Sequence, residues 1–265
     1  MSNNLAVQKY IRADAVNQRI NDLLGKRAPQ FITSLSTAIN ENEKLANCSP
    51  QSVLNAALTA ASMDLPINQN LGFAYLIPYK VQGKDVCQFQ MGYKGFIQLA
   101  QRSGFYKTIN ASEVKEGEIA NFDRLSGEIE FKWIESQVER EKAKTSGFVA
   151  YFRLLNGFEK SLYMTVEELE AHAKKYSKNF AKYKSGLWSD DFDSMAKKTV
   201  LKLLISKFGP LNTQLQKAIQ EDQMVDGEYE DNPQRKPELT DEQKENIKGE
   251  AASIADALES EANNE

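Results

Sequence analysis

A stretch bounded by glycines, MGYKGFIQLAQRSG at residues 91–104, places cationic and polar side chains at the spacing of one helix face. Lys94, Gln98 and Arg102 follow one another at intervals of four residues, so a helix aligns them in a single stripe. At about 1.5 Å per residue, Lys94 and Arg102 would be about 12 Å apart, which is enough to engage several phosphates of a nucleic-acid strand. The alternative is a helix face that is merely solvated.

Two glycines open this predicted helix. Gly92 and Gly95 carry no side chain, so they would let a nucleic-acid strand approach the first turn, where unpaired N–H groups attract anions. In the alternative interpretation they serve only the local turn. The helix is predicted from Tyr93 to Ser103, with Gly104 ending it in a left-handed cap.

A second basic region extends from His172 to Lys207 and contains nine lysines but only three acidic residues. Four aromatic residues are interleaved with the lysines in its first half: Tyr176, Phe180, Tyr183 and Trp188. Lysines neutralise phosphates and aromatic rings stack on bases, a combination that favours single-stranded nucleic acid. We predict a loop over residues 178–188 that carries Lys178, Lys182 and Tyr183. In the alternative interpretation, the aromatic residues form core and the lysines only solvate the surface.

The helix predicted to follow, from about residue 190 to residue 207, carries three further lysines. An apolar stripe on this helix leaves Lys198 and Lys202 on a second face, with Lys197 beside them. We expect these three lysines to lie on a surface that can contact phosphates.

Enzyme functions find little support in the residue pattern. His172 is the only histidine, which excludes a multi-histidine metal site. Gly83 and Lys84 lack the upstream glycine and the following serine or threonine of a phosphate-binding loop. Three aspartates between residues 190 and 193 could hold magnesium for a nuclease, but they also stand where they stabilise a helix N-terminus. The sequence therefore favours a binding protein without a cofactor or metal.

Charge divides the chain into two parts. Residues 221–265 contain 15 acidic and 4 basic side chains, whereas residues 1–220 contain 22 acidic and 29 basic ones. A basic body with an acidic tail is typical of proteins that meet polyanions. The chain has no apolar run near the ~18 residues of a membrane span and no secretory signal, so we expect a cytoplasmic protein. Two separated cysteines, Cys48 and Cys87, are predicted to be reduced and buried.

We expect four segments in the chain. Residues 1–48 form a helical N-terminal arm suited to oligomer contacts, and residues 49–220 form an α+β core that binds nucleic acid. Residues 221–240 have the acidity and low hydrophobicity of a disordered linker. Residues 241–265 place apolar residues at helical spacing, which predicts a small amphipathic segment for a partner.

Within the core, the sequence signals define most elements. Ser49 and Pro50 predict the start of a helix, and Thr165 with Glu168 predicts a capping box. Two short segments around Gly83 predict a β-hairpin. Further strands are predicted around 106–114, 128–134, 146–155 and 159–164, and a small antiparallel sheet packed with helices is expected.

Three longer motifs occur in a specific order along residues 45–215: SPQSVLNAALTAASMDLPINQNLGFAYLIPYK, then GYKGFIQLAQRSG, then LWSDDFDSMAKKTVLKLL. In this order and content the chain resembles the RecT family of phage single-strand annealing recombinases. It departs from the family pattern at two places: it has Ser62, Met63, Asp64 and Leu65 where a segment of the Leu-Gly-Leu type is expected, and Lys202 with Leu203 where an arginine pair is common.

The resemblance implies ATP-independent annealing of complementary DNA strands by a protein that assembles into rings or helical filaments in a bacterial host. It also implies a fold related to ring-forming single-strand annealing proteins. The implied partners are single-stranded DNA, the annealed duplex, further copies of the chain, a phage exonuclease and the host single-strand-binding protein, the last two through the C-terminal tail. No cofactor and no catalytic residue are implied.

The residues predicted to contact DNA come from the glycine-bounded helix, the following strand, the aromatic loop and the second basic helix. They are Tyr93, Lys94, Gln98, Arg102, Lys107, Lys178, Lys182, Tyr183, Lys197, Lys198 and Lys202. A metal-dependent nuclease and a scaffold that binds only protein remain as alternatives.

Overall fold

A computed structural model describes residues 3–81 and 83–223, and its architecture is α+β, as the sequence predicts. In these residues the strands form one three-stranded and two two-stranded antiparallel sheets. Helices pack around the sheets, and one continuous hydrophobic core extends from the first helix to the last.

The predicted helical N-terminal arm consists of four helices and a short 3-10 turn at Gly25–Arg27. The helices are α1 (Asn3–Arg12), α2 (Asp14–Leu24), α3 (Ala28–Glu41) and α4 (Glu43–Ala46). Val7 and Ile11 on α1 are fully buried, because α1 packs against the next helix, α5 (Pro50–Ser62). The arm therefore shares its core with the body, and its role in oligomer contacts stays a prediction.

Helix α5 begins as the sequence predicts. Ser49 Oγ accepts a hydrogen bond from Ser52 N at 3.3 Å, and Pro50 occupies the first turn, where its missing N–H has no helical partner to lose. The buried residues Val53 and Leu54 point α5 toward the core.

The predicted hairpin is formed by β1 (Ala74–Val81) and β2 (Lys84–Met91). Pro78 lies opposite Cys87, and both strands of a two-stranded sheet are edges, so the proline interrupts no interior ladder. Leu76 and Phe89 are buried, and Cys87 N donates to Ser52 Oγ on α5 at 2.9 Å. One face of the hairpin is thus anchored to α5.

The central part of the chain alternates short elements with long strands. The elements are α6 (Tyr93–Arg102), β3 (Tyr106–Lys115), β4 (Ile119–Phe122), β5 (Ile129–Phe131), α7 (Gln137–Lys142), β6 (Thr145–Leu154) and β7 (Glu159–Thr165). The order β3-β6-β7 forms the three-stranded sheet, in which Ile109 lies opposite Phe152 and Phe148 opposite Met164. β4 pairs with β5 in a separate hairpin. The sequence predicted neither β4 nor α7.

Five helices complete the described chain: α8 (Val166–Tyr176), α9 (Lys178–Tyr183), α10 (Leu187–Asp190), α11 (Phe192–Phe208) and α12 (Thr213–Gln223). The predicted capping box is confirmed, because Thr165 Oγ1 accepts from Glu168 N at 3.1 Å and Glu168 Oε2 accepts from Thr165 N at 2.9 Å. The predicted loop 178–188 is wrong in part, since α9 and the start of α10 lie within it. Asp191, and neither of its two predecessors, caps α11 by accepting from Ser194 N at 3.1 Å.

The core extends slightly beyond the predicted boundary at residue 220. Helix α12 continues to Gln223, and the side chain of Asp222 is fully buried. The rest of the predicted linker and the predicted segment 241–265 lie outside the described residues.

Both cysteines are buried free thiols, as predicted. Burial raises the pKa of the Cys48 thiol to about 11 and also raises that of Cys87. In the ranges that the structure describes, no helix combines the length and the apolar character needed to cross a membrane.

Candidate nucleic-acid interface

The glycines at the start of α6 make room for the protein's own backbone. A Cβ built on Gly92 would overlap the carbonyl oxygen of Gly72, and one built on Gly95 would overlap that of Phe73. Gly92 N also donates to Phe73 O at 3.0 Å. The expectation that these glycines admit a nucleic-acid strand is therefore wrong, because the segment that leads into β1 already fills the space.

The two helices predicted to carry phosphate-binding cations pack directly against each other. Tyr75 on β1 lies beside the start of α6, since a Cβ built on Gly92 would be 3.0 Å from Tyr75 Cε2. Burial, then the charges of Asp191 and Tyr93, raises the pKa of Tyr75. Tyr93 is the first residue of α6, and Asp191 is the cap of α11.

We define the α6–α11 surface as four exposed or half-exposed side chains in the first two turns of these helices: Tyr93, Lys94, Ser194 and Lys197. Helix α6 starts at Gly92 without a side-chain cap, so its first N–H groups and Lys94 offer positive charge together. Helix α11 has Asp191 and Asp193 at its start, so its positive charge comes from Lys197, one turn further along.

The predicted stripe on α6 is divided between solvent and the protein itself. Lys94 is exposed, whereas Gln98 is half-buried and its Oε1 has no hydrogen-bond partner among the described residues. Arg102 Nη2 donates to Asp64 O at 3.1 Å, and Nη1 lies 3.3 Å from Asp64 Oδ2. The stripe forms, but its last cation, Arg102, is already paired with the carboxylate of Asp64.

Asp64 adopts a left-handed backbone conformation with φ of 54°. Glycine tolerates this region without strain, whereas an aspartate adopts it at a conformational cost. Here the aspartate side chain holds two cations, because Asp64 Oδ1 also accepts from Arg27 Nη1 at 2.8 Å. Asp64 therefore ties α6 to the N-terminal arm through its ion pairs with Arg102 and Arg27.

Two of the three α11 lysines that are predicted to contact phosphates do not lie on an open surface. Lys198 is 6% exposed, and its Nζ lies 2.9 Å from Asp222 Oδ1. Lys202 Nζ lies 2.7 Å from Asp222 Oδ2. The expectation that both lysines reach outward is therefore wrong, because both pair with the fully buried carboxylate of Asp222 on α12.

Two opposing effects set the pKa of the buried Asp222 carboxylate. Burial alone would raise the pKa of Asp222, but the attraction of Lys198 and Lys202 outweighs it, so the pKa lies below its usual value. Nearby, burial, followed by the charges of Lys202, Lys175 and Lys198, lowers the pKa of His172 to about 4. His172 is consequently neutral at physiological pH and contributes no cation to the surface.

The aromatic region before α11 combines core and surface residues. Phe180 and Trp188 are buried, and their ring centroids lie 6.3 Å apart, as the core interpretation expects. Tyr183 is 64% exposed, and Lys182 Nζ lies 5.1 Å from its ring centroid. The side chain of Lys178 is not among those described. Lys107 is exposed near the start of β3.

A groove of about 510 Å³ lies beside Lys197. Its lining comes from β3, from the segment that follows β5, from α7 and from the start of α11: Ala111, Ser112, Glu113, Trp133, Ile134, Arg140, Asp193 and Lys197. Of the eleven predicted contact residues, Lys197 is the one that reaches this groove.

Arg140 holds the groove wall in place. Its Nε lies 2.8 Å from Glu118 Oε1, its Nη1 lies 3.1 Å from Glu113 Oε1, and its Nη2 donates to Glu113 O at 3.0 Å. Glu118 is fully buried, and despite that burial the hydrogen bonds from Lys115 N and Arg140 keep its pKa below the usual value. These bonds fix the β4–β5 region against β3.

Sequence reasoning missed Trp133, Arg140 and Asp222. Phe131 is the last residue of β5, and Trp133 follows two positions later. This alternating spacing could have indicated an aromatic face. No local pattern separates Asp222 from the other acids of its segment. In the described ranges, no group of three or more histidine, cysteine or acidic side chains is arranged to hold a metal ion.

The described α+β core brings two cation-bearing helices, α6 and α11, into contact. The profile described as RecT family matches residues 29–238, and the chain belongs to this family. Proteins of the RecT family are annealing proteins rather than catalytic enzymes, so membership supports a function in single-strand annealing recombination. It also implies binding of single-stranded DNA and self-association, and it is consistent with a relation to ring-forming annealing proteins.

Two curated proteins are similar over most of the chain. One is the uncharacterized protein YqaK of Bacillus subtilis (strain 168), which is 43% identical over 213 residues, 80% of this chain and 70% of YqaK. The other is protein RecT of Escherichia coli (strain K12), which is 29% identical over 226 residues, 83% of this chain and 81% of RecT.

Proposed function

We propose that this chain is an ATP-independent annealing protein that binds single-stranded DNA and pairs complementary strands in phage homologous recombination. The observation that carries the proposal is the direct packing of α6 against α11, which joins two cation-bearing helices in a member of a family of annealing proteins. We place the protein in the cytoplasm of a bacterial host, without a cofactor.

In this proposal the α6–α11 surface holds the phosphates of one strand. Lys94 meets the backbone beside the uncapped N-terminus of α6, and Lys197 meets it on α11. Lys107, Lys182 and Tyr183 extend the path at exposed positions. Phosphate contacts carry no sequence information, so the second strand is selected by base pairing.

The paired cations have a supporting role in the same proposal. Arg102 anchors α6 to Asp64, and Lys198 with Lys202 anchors α12 to α11 through Asp222. These contacts fix the orientation of the two helices and thereby of Lys94 and Lys197. The lysines of α11 thus divide between one that meets DNA and two that position it.

We propose that self-association produces a ring or a helical filament and that the N-terminal arm contributes contacts to it. The arm packs on α5 and presents exposed polar side chains on its outer side. The segment 241–265 is proposed to bind the partner exonuclease or the host single-strand-binding protein. This assignment rests on its amphipathic sequence and on the acidic segment 221–240 that precedes it in the sequence.

The test uses two complementary oligonucleotides with a donor and an acceptor dye, in EDTA and without nucleotide. The protein should bind each strand in a salt-sensitive manner and accelerate duplex formation. The double variant Lys94→Ala/Lys197→Ala should keep its circular dichroism spectrum, while the log–log salt slope falls by about 1.4 for the two lysines. The matched control is Lys44→Ala/Lys80→Ala, at two exposed positions on other elements.

Three results would contradict the proposal. Absence of DNA binding would favour the protein-only scaffold, and cleavage of a strand on adding magnesium would favour a nuclease. Equal salt slopes for both double variants would show that the α6–α11 surface is not where the phosphates bind.

A further inference from the structure

Trp133 differs from the other tryptophan of the chain in its surroundings. Trp188 is 5% exposed and belongs to the core, whereas Trp133 is 48% exposed and lines the groove beside Lys197. A large aromatic side chain left half in solvent costs hydrophobic free energy unless something else covers it. Several other large apolar side chains are also exposed, so what distinguishes Trp133 is that it lines the groove beside Lys197.

The ring of Trp133 is held in a fixed orientation. Its centroid lies 4.6 Å from that of Phe131, and the two planes are 5° apart. Phe131 thus covers one face of the indole and leaves the opposite face open. A rigid ring with one free face is the arrangement that stacks on a nucleobase in proteins that bind single strands.

The charges of the groove favour a base over a phosphate in this position. Glu113 and Asp193 are balanced by Arg140 and Lys197 among the lining residues, and the Glu113 carboxylate is further paired with Lys115 at 3.0 Å. Arg140 is committed to Glu113 and Glu118. A neutral groove with an aromatic wall suits an uncharged planar group, while Lys197 supplies a cation for the phosphate attached to it.

We infer that the open face of Trp133 is a base-stacking subsite for single-stranded DNA, and that Lys197 holds the adjacent phosphate. The inference rests on the proposed function, because it presumes that the α6–α11 surface receives the phosphates. It adds a base contact that the phosphate-only path lacks. Stacking requires no particular base, so annealing remains independent of sequence.

Intrinsic fluorescence measures the contact directly. The chain has two tryptophans, so the full-length variant Trp188→Phe reports Trp133 alone. Oligo(dT) should quench this fluorescence as it binds. An oligomer of abasic nucleotides of the same length should bind in a salt-sensitive manner and leave the fluorescence within about a tenth of its starting value. If Trp188→Phe fails to fold, the difference between wild type and Trp133→Phe gives the same signal.

Affinity variants separate stacking from charge. Trp133→Ala should weaken binding of oligo(dT) about tenfold, because one stacked base is lost, and should leave binding of the abasic oligomer unchanged. Trp133→Phe should retain most of the affinity. Leu125→Ala is the matched control, since Leu125 is 96% exposed in the same β4–β5 region and should change neither affinity.

The outcomes distinguish failure of the inference from failure of the proposed function. Binding of oligo(dT) without quenching, or equal quenching by the abasic oligomer, overturns the stacking subsite and leaves the annealing function standing. No binding of either oligomer, read by fluorescence anisotropy, overturns both. A change in the sedimentation of DNA-free protein on Trp133→Ala would show that a second copy of the chain covers the indole, which also overturns the inference.

Discussion

Helices α6 and α11 carry the same kind of cationic pattern and use it differently. On α6, Lys94 extends into solvent and Arg102 pairs with the exposed carboxylate of Asp64. On α11, Lys198 and Lys202 converge on Asp222, which is fully buried. Regular spacing shows which side chains share a helix face, but whether that face is covered depends on a segment elsewhere in the chain.

The physical reason for the difference lies in the surroundings of each helix. Helix α11 packs against the three-stranded sheet, against α6 and against α10, and most of its middle residues are buried. A lysine in such a place must be paired, because an unpaired buried charge is strongly unfavourable. Helix α6 packs through Phe96 and Leu99 and leaves Lys94 exposed to solvent.

The largest expected effect comes from removing the shared carboxylate of α11. Asp222→Ala removes the buried carboxylate that pairs with Lys198 and Lys202, so the free energy of unfolding should fall by about 3–5 kcal/mol. Urea denaturation of wild type and variant measures the change. A chain truncated after residue 220 should show a similar loss. Equal stability of all three proteins would show that the α11 lysines behave like the exposed cations of α6.

The pH dependence of stability should also reveal the charge of Asp222, with a smaller effect than that of Asp222→Ala. The pKa of Asp222 is lowered in the folded protein, so its contribution is present above the unfolded value and is lost as the pH falls through the folded value. Thermal melting below about pH 4 should therefore drop more steeply in wild type than in Asp222→Asn. Parallel curves for the two proteins would rule out the charged form of Asp222 as the stabilising species.

Two adjacent lysines provide a sharper comparison within α11. Lys197→Ala should keep the fold and lower the log–log salt slope of oligonucleotide binding by about 0.7. Lys198→Ala should mainly reduce stability, because it removes one of the two cations that pair with the buried Asp222 and leaves Lys202 as the other. Oligonucleotide titrations at several salt concentrations and urea melts, run on both variants, separate the two roles. If the two variants exchange these phenotypes, the assignment of surface and support is reversed.

The smallest expected effect concerns the ion pair of α6. Asp64→Gly relieves the left-handed backbone and removes exposed partners of Arg27 and Arg102, so the two contributions nearly cancel within about 1 kcal/mol. With its carboxylate gone, Arg102 becomes available to DNA, and the salt slope should rise by about 0.7. Asp64→Asn, which keeps the side-chain size, is the matched control for the charge. An unchanged slope in both variants would place Arg102 off the DNA path.

Patterns among neighbouring residues predict most of the helices and strands of the fold. The capping box at Thr165, the Ser49 cap and the hairpin around Gly83 depend on neighbouring residues, so the sequence predicts them correctly. The elements it missed are short: β4 has four residues, and α7 and α9 have six each. Such segments are too brief for a periodic pattern and are held by contacts such as those of Arg140 with Glu113 and Glu118.

The sequence by itself determined the α+β class, the helix with Lys94 at its start and the family resemblance, because composition, periodicity and ordered motifs are properties of the chain. Only the tertiary structure decided which cations face solvent, what fills the space beside Gly92 and Gly95, and that Trp133 borders a groove with Lys197. Those properties depend on contacts between residues far apart in the sequence, and burial, not residue type, determines whether a lysine binds a phosphate or an aspartate.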